Sequence, residues 1–488
     1  MRDISGSVTR GIFLCLLSVG ATSTTLAQDV DAFNPLAQQT PSTLAIQADG
    51  KILIGGYLLN ASNTLVGVQR LKVDGTVDTS FTELDVDSEV KAVAVQADGK
   101  ILIGGHFNTL GLDTRHYLAR LNANGTLDTS FADPDLDGDV WALAVQADGK
   151  VLAAGDFQNV GATARSYAAR FNPNGTLDIG FADPQIDAPA RAVALQANGS
   201  VLVGGYFLGA AGNTSLGSII RFSASGALDA AFPIDPSATN VSTIVVAPDG
   251  SIYVGSSYNT TDQQSTRPVA KLSTNGTLDA NYADIHTGAG TNCLALQPNG
   301  KLLFGGLFQV VDGQPRHGLG RLNANGSLDA SFGDLQFSFN AADPNGTVFG
   351  VAAQTDGKTI AIGNFTLAKG QPRQFAARVV TGDAVGSKLS GQASGANVIV
   401  TWTRSGNGPE LAQAPTLLHS SDGVNFIAVG AMARIANGWQ VTANYNVGGT
   451  PFYLQAVGTT SAGADNGSSG RAVSPVYVSD RIFADGFE

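Results

Sequence analysis

The sequence is poor in charged residues, and basic residues are the scarcer kind. Charged side chains make up 14% of its 488 residues, against about 25% in an ordinary soluble domain. With 60 glycines, this excludes a coiled coil or long helical protein, which needs charged residues, Ala and Leu rather than Gly. The net charge of −12 argues against a nucleic-acid partner, because phosphate binding requires clustered Lys and Arg.

Long apolar runs are missing after the N-terminus. Arg2 and Arg10 precede a short apolar segment at 11–20, and a run of small residues ends at Ala27. This pattern predicts a signal peptide over 1–27 and an exported chain, either secreted or at the cell surface. The apolar segment is too short for a stable membrane span, and no later segment approaches 18 apolar residues. We therefore expect no membrane insertion of the mature chain.

Cysteine is also scarce. Of the two cysteines, Cys15 lies in the predicted signal peptide, which leaves Cys293 without an internal disulfide partner. Cys293 lies in the apolar alternation 291–296 and is predicted to be a small buried hydrophobic residue. A disulfide-free exported chain must then be stabilised by one large core or by many small repeated ones.

The sequence does contain one unit repeated seven times. Turn glycines recur at steps of about 50 residues, at Gly50, Gly99, Gly149, Gly199, Gly250, Gly300 and Gly357. In the second unit four strand patterns, 90–96, 101–107, 116–122 and 126–131, are joined by tight-turn signals such as Asp98-Gly99. The pair Gly104-Gly105 indicates a close backbone approach or a bulge. Residues 28–385 are thus predicted to form an all-β, seven-bladed β-propeller of four-stranded antiparallel blades.

The repeated motif resembles a known family. The block from Gln96 to Phe107, followed by the block from Arg120 to Phe131, resembles the delta-60 repeat of exported bacterial proteins. The resemblance covers residues 30–385 and implies a propeller, but it supplies no catalytic residues. A basic residue and an aspartate recur in these units, at Arg70, Arg120, Arg170, Arg221, Lys271, Arg321 and Arg378, and at Asp78, Asp128, Asp178, Asp229, Asp279 and Asp329. We interpret them as ion-paired scaffold residues, with a ring of binding charges as the alternative.

Function is expected where the units differ. The loops between strands two and three and between successive units share one face, and loops on a rigid scaffold often carry recognition. The residue that opens each first strand varies, as Ser42, Lys91, Trp141, Arg191, Ser242, Asn292 and Phe349. The residue after each glycine pair also varies, as Tyr57, His106, Asp156, Tyr206, Ser257 and Leu307. From these two sets we take Lys91, His106, Trp141, Asp156, Arg191, Tyr206 and Phe349 as candidate binding residues at the channel mouth. Neutral drift at solvent-facing positions is the alternative.

No catalytic motif is recognisable, so catalytic residues and cofactors are not expected. The leading hypothesis is a monomeric, non-enzymatic scaffold that binds a protein or a glycan through the variable loop face. The alternatives are a hydrolase or lyase at the channel mouth and a structural surface-layer component. A weak Ca²⁺ candidate is the loop containing Asp133, Asp135, Asp137 and Asp139, because alternating oxygens around a glycine suit calcium. The glutamate usual at the twelfth position is missing, so an ordinary acidic loop is the competing interpretation.

The repeat stops near Asp383. Residues 386–478 show alternating strands and an early Trp402, and they resemble a fibronectin type III-like β-sandwich. The tail 479–488 is similar to short terminal tags on exported bacterial proteins, or is simply a frayed end.

The two ends of the repeat region are complementary. Residues 29–34 resemble the end of a unit, whereas the seventh unit lacks that ending. We therefore predict that 29–34 complete the seventh blade as its outer strand beside 375–380, since an open ring would expose two sheet edges. The alternative is local closure by 383–388.

Overall fold

The computed structural model describes residues 28–35, 39–213, 216–233, 240–256, 268–381, 385–394, 397–411, 414–422, 424–435, 438–443, 452–461, 463–464, 469–473 and 477–479. The predicted signal peptide and all but the first residue of the predicted tail lie outside these ranges. Within them every helix or strand is a β-strand, so no helix suited to crossing a membrane occurs there. The all-β prediction is confirmed.

Thirty strands precede the C-terminal region. They are β1 (Asp29–Val30), β2 (Pro41–Ile46), β3 (Ile52–Leu59), β4 (Leu65–Leu71), β5 (Val90–Val95), β6 (Ile101–Gly105), β7 (Thr109–Leu110), β8 (Asp113–Thr114), β9 (Leu118–Leu121), β10 (Val140–Val145), β11 (Val151–Gly155), β12 (Asn159–Val160), β13 (Thr163–Ala164), β14 (Ala168–Phe171), β15 (Ala190–Leu195), β16 (Val201–Gly205), β17 (Ile219–Phe222), β18 (Val241–Val246), β19 (Ile252–Ser256), β20 (Val269–Leu272), β21 (Thr291–Leu296), β22 (Leu302–Gly306), β23 (Val310–Val311), β24 (Gln314–Pro315), β25 (Leu319–Leu322), β26 (Thr347–Ala353), β27 (Thr359–Asn364), β28 (Leu367–Ala368), β29 (Gln371–Pro372) and β30 (Ala376–Val380).

These strands form one antiparallel sheet per unit. The orders are β2-β3-β4, β5-β6-β9, β10-β11-β14, β15-β16-β17, β18-β19-β20, β21-β22-β25 and β26-β27-β30. The first strand of each sheet contacts the first strand of the next sheet, and β26 contacts β2. Apolar clusters fill the space between sheets: one contains Ala45 and Leu53 of the first unit with Val90 and Ile103 of the second. The small repeated cores therefore lie between units.

Six of the seven sheets have three strands where four were predicted, and the sheet of the seventh unit has five, in the order β1-β30-β27-β26-β38. The fourth segment of the second unit meets the third strand at a single bridge, Leu121 to Leu127. Asp128 then turns the chain away, because its carboxylate accepts hydrogen bonds from Ser130 and its carbonyl accepts one from the Phe131 N–H. The same single bridge occurs in five other units, so the aspartate that was predicted to lie on a strand forms a turn.

The repeated basic residue links neighbouring units. The Arg120 guanidinium donates to the Asp128 carboxylate at 2.7 Å and to the Pro173 carbonyl of the next unit at 2.6 Å. The guanidinium also lies over the Phe131 ring, 4.8 Å from its centroid. Equivalent ion pairs occur as Arg70–Asp78, Arg170–Asp178, Arg221–Asp229, Lys271–Asp279 and Arg321–Asp329. Both partners of the Arg120 pair are buried, which supports the scaffold interpretation over a ring of binding charges.

The N-terminal segment supplies the missing partner of the seventh unit. Strand β1 pairs antiparallel with β30, with Asp29 opposite Val380 and Val30 opposite Val379. The Arg378 guanidinium donates to the Asp31 carboxylate at 2.7 Å and lies over Phe33. The predicted pairing of the N-terminal segment with the seventh unit is confirmed, but the strand covers only Asp29–Val30 of the predicted 29–34. Residues 386–394, which include part of the local alternative, pair with a C-terminal strand instead.

The C-terminal strands form two antiparallel sheets. The strands are β31 (Gly386–Ser394), β32 (Asn397–Ser405), β33 (Thr416–Ser420), β34 (Ile427–Ala431), β35 (Ala433–Ile435), β36 (Gly438–Ala443), β37 (Phe452–Ser461), β38 (Gly463–Ala464), β39 (Ser469–Val473) and β40 (Tyr477–Ser479). One sheet has the order β31-β32-β36-β35; the other has β34-β33-β37-β39, with β40 also pairing with β37. Residues from both sheets share a core with Trp402 and Trp439. The region is a β-sandwich, and its likeness to fibronectin type III remains a prediction.

The sandwich is joined to the repeat region. Arg321 of the sixth unit donates to the Asn407 side-chain oxygen at 3.2 Å, where other units offer a turn carbonyl. The Asn407 carbonyl accepts from Gln297 at 2.9 Å. Strand β38 pairs with Gly350 and Val351 of β26 and also contacts β2, β18 and β21. The C-terminal sandwich therefore touches the first strands of several units as well as the turn face.

Replacing Asp128 by Asn tests the repeated ion pair. Burial alone would raise the pKa of Asp128, but hydrogen bonds from Lys100, Ser130 and Arg120 outweigh it and hold the pKa well below its ordinary value of 3.8. A carboxylate with a lowered folded-state pKa stabilises the fold above its unfolded pKa. That contribution is lost as the pH falls below 3.8 toward the folded value.

We therefore expect Asp128→Asn to lower the free energy of unfolding at pH 7 by about 3 kcal/mol, because it leaves a buried guanidinium without its counter-charge. We also expect a shallower loss of stability below pH 4 than in the wild type. Urea unfolding at pH 7, 4 and 3 measures both effects. The exposed Asp113→Asn is the matched control; identical acid profiles for Asp128→Asn and wild type would contradict the prediction.

Replacing Asp31 by Ala tests the closure of the seventh unit. The change removes the carboxylate partner of Arg378, whose side chain is 11% exposed, so we expect a lower melting temperature. Asp29→Ala is the control because the Asp29 side chain is 71% exposed. Removing residues 28–35 is expected to go further and cause aggregation by exposing the edge of β30. A truncated protein that melts like the wild type would show that this strand is dispensable.

Candidate functional site

A bulge in the first strand of every unit positions the variable side chains. The register of β5 with β6 shifts between Val90 and Ala92, so Lys91 is the extra residue of a bulge. The same shift makes the following residues the extra residues of bulges in the other units: Ser42, Trp141, Arg191, Ser242, Asn292 and Phe349. A bulge redirects the side chain of its extra residue. The seven positions identified from sequence variation are therefore the seven bulge residues.

Where a glycine stands opposite the residue before the bulge, the two backbones approach closely. A Cβ on Gly105 would lie 2.2 Å from the Glu89 carbonyl oxygen, and one on Gly155 would lie 1.9 Å from the Asp139 carbonyl oxygen. The backbone of the second strand can approach the bulged strand this closely only without a side chain. The expected close approach at Gly104-Gly105 is confirmed, and it occurs together with the bulge.

The bulge residues meet in one cavity of about 280 Å³. Its lining consists of Ser42, Glu89, Lys91, Trp141, Arg191, Tyr206, Ser242, Asn292 and Phe349. Each unit thus contributes its bulge residue, and we call this cavity the central pocket. Of the seven candidate binding residues, Lys91, Trp141, Arg191, Tyr206 and Phe349 line it. Segments between units bridge to loops between strands two and three, as Val86 does to Leu110, so these two kinds of loop lie on one face, the loop face.

Arg191 lies between two aromatic side chains in the central pocket. Its guanidinium carbon is 3.8 Å from the centroid of the Trp141 ring and 5.0 Å from that of Tyr206. Contacts of a guanidinium with aromatic faces stabilise it by about 0.5–2 kcal/mol each. The two rings hold the cation in place without neutralising its charge.

Lys91 is neutralised locally. Its ammonium group lies 2.9 Å from a carboxylate oxygen of Glu89, and the other carboxylate oxygen accepts a hydrogen bond from the Ser42 hydroxyl. Sequence reasoning missed Glu89. The signal that could have found it is the equivalent Asp139 of the next unit, which likewise stands two residues before a bulge residue and accepts from the Trp141 indole N–H at 3.3 Å.

His106 and Asp156 lie outside the lining of the central pocket. The His106 ring nitrogen Nδ1 is hydrogen-bonded to Asp139, and the side chain is 58% exposed. Burial, reinforced by the nearby Asp139 charge, raises the pKa of Asp156, while Arg191 opposes this shift. Both residues therefore border the pocket on the side of the third unit. Ser257, at the equivalent position of the fifth unit, lies outside the described residues.

The four candidate calcium ligands do not converge. Asp133 accepts from the backbone N–H and the ring of His116, and Asp137 accepts from the N–H groups of Gln158 and Asn159. Asp139 is engaged by His106, and the Asp135 side chain is 70% exposed. In the described part of the chain, no group of three or more His, Cys, Asp or Glu side chains is arranged to hold a metal ion. The geometry favours an ordinary acidic loop.

Cys293 is fully buried in β21, as its apolar alternation predicted, and its thiol forms no disulfide among the described residues. It lies in a cluster with Val348 and Leu319. Cys293 is therefore a residue of the hydrophobic core.

Comparison with known proteins bears on the repeat unit. A family model described as a domain of unknown function (DUF5122) β-propeller matches six units, at residues 47–81, 96–131, 146–181, 196–232, 247–282 and 297–332. No curated protein matches the chain.

Among solved structures, KlAtg21 in complex with the coiled coil of AgAtg16 is 9% identical with a TM-score of 0.38, over 81% of this chain and 100% of that one. AztD of Citrobacter koseri is 10% identical with a TM-score of 0.29, over 78% and 96%. A structure titled Bacteroides ovatus xyloglucan PUL GH43B is 10% identical with a TM-score of 0.24, over 93% and 92%. Likeness at this level carries no functional argument. The six matched units support a β-propeller repeat architecture between residues 47 and 332.

Proposed function

We propose that this chain is an exported or cell-surface, non-enzymatic scaffold, a seven-bladed propeller with a fibronectin type III-like module, that binds a glycan in the central pocket. One observation carries the proposal: each of the seven units directs its bulge residue into the same cavity, and these seven positions hold six different residue types. The buried frame around them repeats from unit to unit. Selection for stability alone would not place six residue types at equivalent positions around one axis.

The pocket suits a sugar residue better than a protein surface. A volume of about 280 Å³ lies at the lower end of small-molecule sites. Phe349 and Trp141 offer apolar surface for the C–H face of a sugar ring, and Asn292 and Ser42 offer polar groups for its hydroxyls. Such a mixture of aromatic walls and few polar groups is typical of ligand pockets.

Entry is proposed from the loop face. Strand β38 pairs with Gly350 and Val351, directly after the pocket residue Phe349, so the C-terminal sandwich approaches the first strands from the other side. A ligand at the loop face would then contact the bulge residues first. Loops on a rigid scaffold commonly present such sites.

Replacing Phe349 by Ala tests the central pocket. The mature chain is screened on a glycan array, and the strongest glycan is titrated by calorimetry against wild type, Phe349→Ala and Tyr57→Ala. We expect Phe349→Ala to weaken binding about 10- to 30-fold through lost aromatic contact area. Tyr57, at the Tyr206-equivalent position but outside the pocket lining and 50% exposed, provides the control and should bind as the wild type does. Equal affinity for Phe349→Ala, or binding only to a protein array, would reject the proposal.

A hydrolase or lyase at the channel mouth is the second candidate. It is favoured by the raised pKa of Asp156, caused first by burial and then by Asp139, since a raised pKa is what a carboxyl needs to act as a general acid. Release of reducing ends from any glycan of the panel, abolished in Asp156→Asn, would replace the binding proposal with this one. Binding without turnover supports the scaffold.

A further inference from the structure

Arg191 is the cation of the central pocket whose charge remains available. The other pocket cation, Lys91, lies 2.9 Å from Glu89. For Arg191, no carboxylate of the described residues lies within ion-pair distance, and its buried Nε has no hydrogen-bond partner among them. Trp141 and Tyr206 contact the guanidinium through their ring faces. Ring faces accept a cation but do not accept the directed hydrogen bonds of the guanidinium edge.

We propose that the glycan bound in the central pocket is acidic and that Arg191 binds its carboxylate. This inference rests on the proposed function, and it names the ligand class as a glycan containing a uronic acid. A guanidinium presents a planar fork of N–H donors that matches a carboxylate with two parallel hydrogen bonds. The aromatic contacts fix the plane of the fork before the ligand arrives, so little side-chain freedom is lost on binding.

The surroundings determine how selective this contact is. The chain carries a net charge of −12, so long-range attraction does not bring an anion to the pocket, and recognition depends on contact with Arg191. Asp156 interacts electrostatically with Arg191, but the two side chains do not form an ion pair within 4 Å. An incoming carboxylate would be repelled by Asp156, which therefore competes with the ligand for Arg191.

Replacing Arg191 and replacing Asp156 are therefore expected to change the affinity for the ligand in opposite directions. Replacing Arg191 removes the partner of the ligand carboxylate, whereas replacing Asp156 by Asn removes a competing negative charge. A neutral glycan would not distinguish the variants in this way. The opposite signs form the signature of a carboxylate at this position.

The experiment titrates the full mature chain with a uronic-acid oligosaccharide, with its carboxyl-reduced neutral counterpart and with a sulfated oligosaccharide. For the uronic-acid ligand we expect Arg191→Met to lose about 10- to 100-fold in affinity, as for a hydrogen-bonded charge contact. Arg191→Lys should lose less, and Asp156→Asn should bind several-fold more tightly. Arg115→Met is the control, because Arg115 lies on a loop where it donates to the Thr114 carbonyl.

Each other result overturns the inference. If the neutral counterpart binds as tightly as the acid and Arg191→Met retains affinity, the glycan pocket stands but the acidic ligand does not. Preference for the sulfated ligand would replace the carboxylate by a sulfate. Binding of no glycan at all would remove both proposals. Should Arg191→Met fold poorly, Asp156→Asn decides alone, since unchanged or weaker binding of the acid would contradict the inference.

Discussion

The repeat region depends on one ion pair, between the basic residue of the third strand and the aspartate eight residues later, which occurs in six units and is buried in four of them. The Arg120 guanidinium reaches Asp128 within its own unit and the Pro173 carbonyl of the next. It therefore fixes the turn that ends one unit and the position of the neighbouring one together. A buried charge of this kind is tolerated only with complete partners, so each unit needs the correct neighbour.

This constraint explains why basic residues at the ends of the repeat region pair with groups from other parts of the chain. The seventh unit has no aspartate of its own, and Asp31 pairs with Arg378 from the other end of the chain. At the sixth unit, Asn407 of the sandwich offers its side-chain oxygen to Arg321, the position at which Arg120 meets a turn carbonyl of the next unit. The Asp31–Arg378 ion pair and the Asn407–Arg321 hydrogen bond thus meet the same requirement, that the guanidinium of the repeated arginine has acceptors.

Much of the repeat architecture could be predicted from the sequence, because a weak local pattern becomes informative when it recurs in seven units. The turn glycines, the alternating strands and the complementary ends indicated the units and the closure by β1. The predicted fourth strand failed because Asp128 forms a turn, and a single strand-like pattern does not reveal this. The contact of Asn407 could not be foreseen, since it joins residues 86 positions apart outside any repeat.

The candidate site, too, could be predicted from the sequence only in part. Variation at the positions of Trp141 and Arg191 identified them, and the glycine pairs predicted a bulge, but only the structure shows that the bulge and the variation coincide. His106 and Asp156 directly follow Gly105 and Gly155 and lie beside the pocket, because the second strand leaves the bulge at that point. These glycines let two backbones approach closely next to the bulge, and the bulge turns one side chain per unit out of the repeated frame. A fold that repeats its buried contacts can in this way carry a site whose side chains vary from unit to unit.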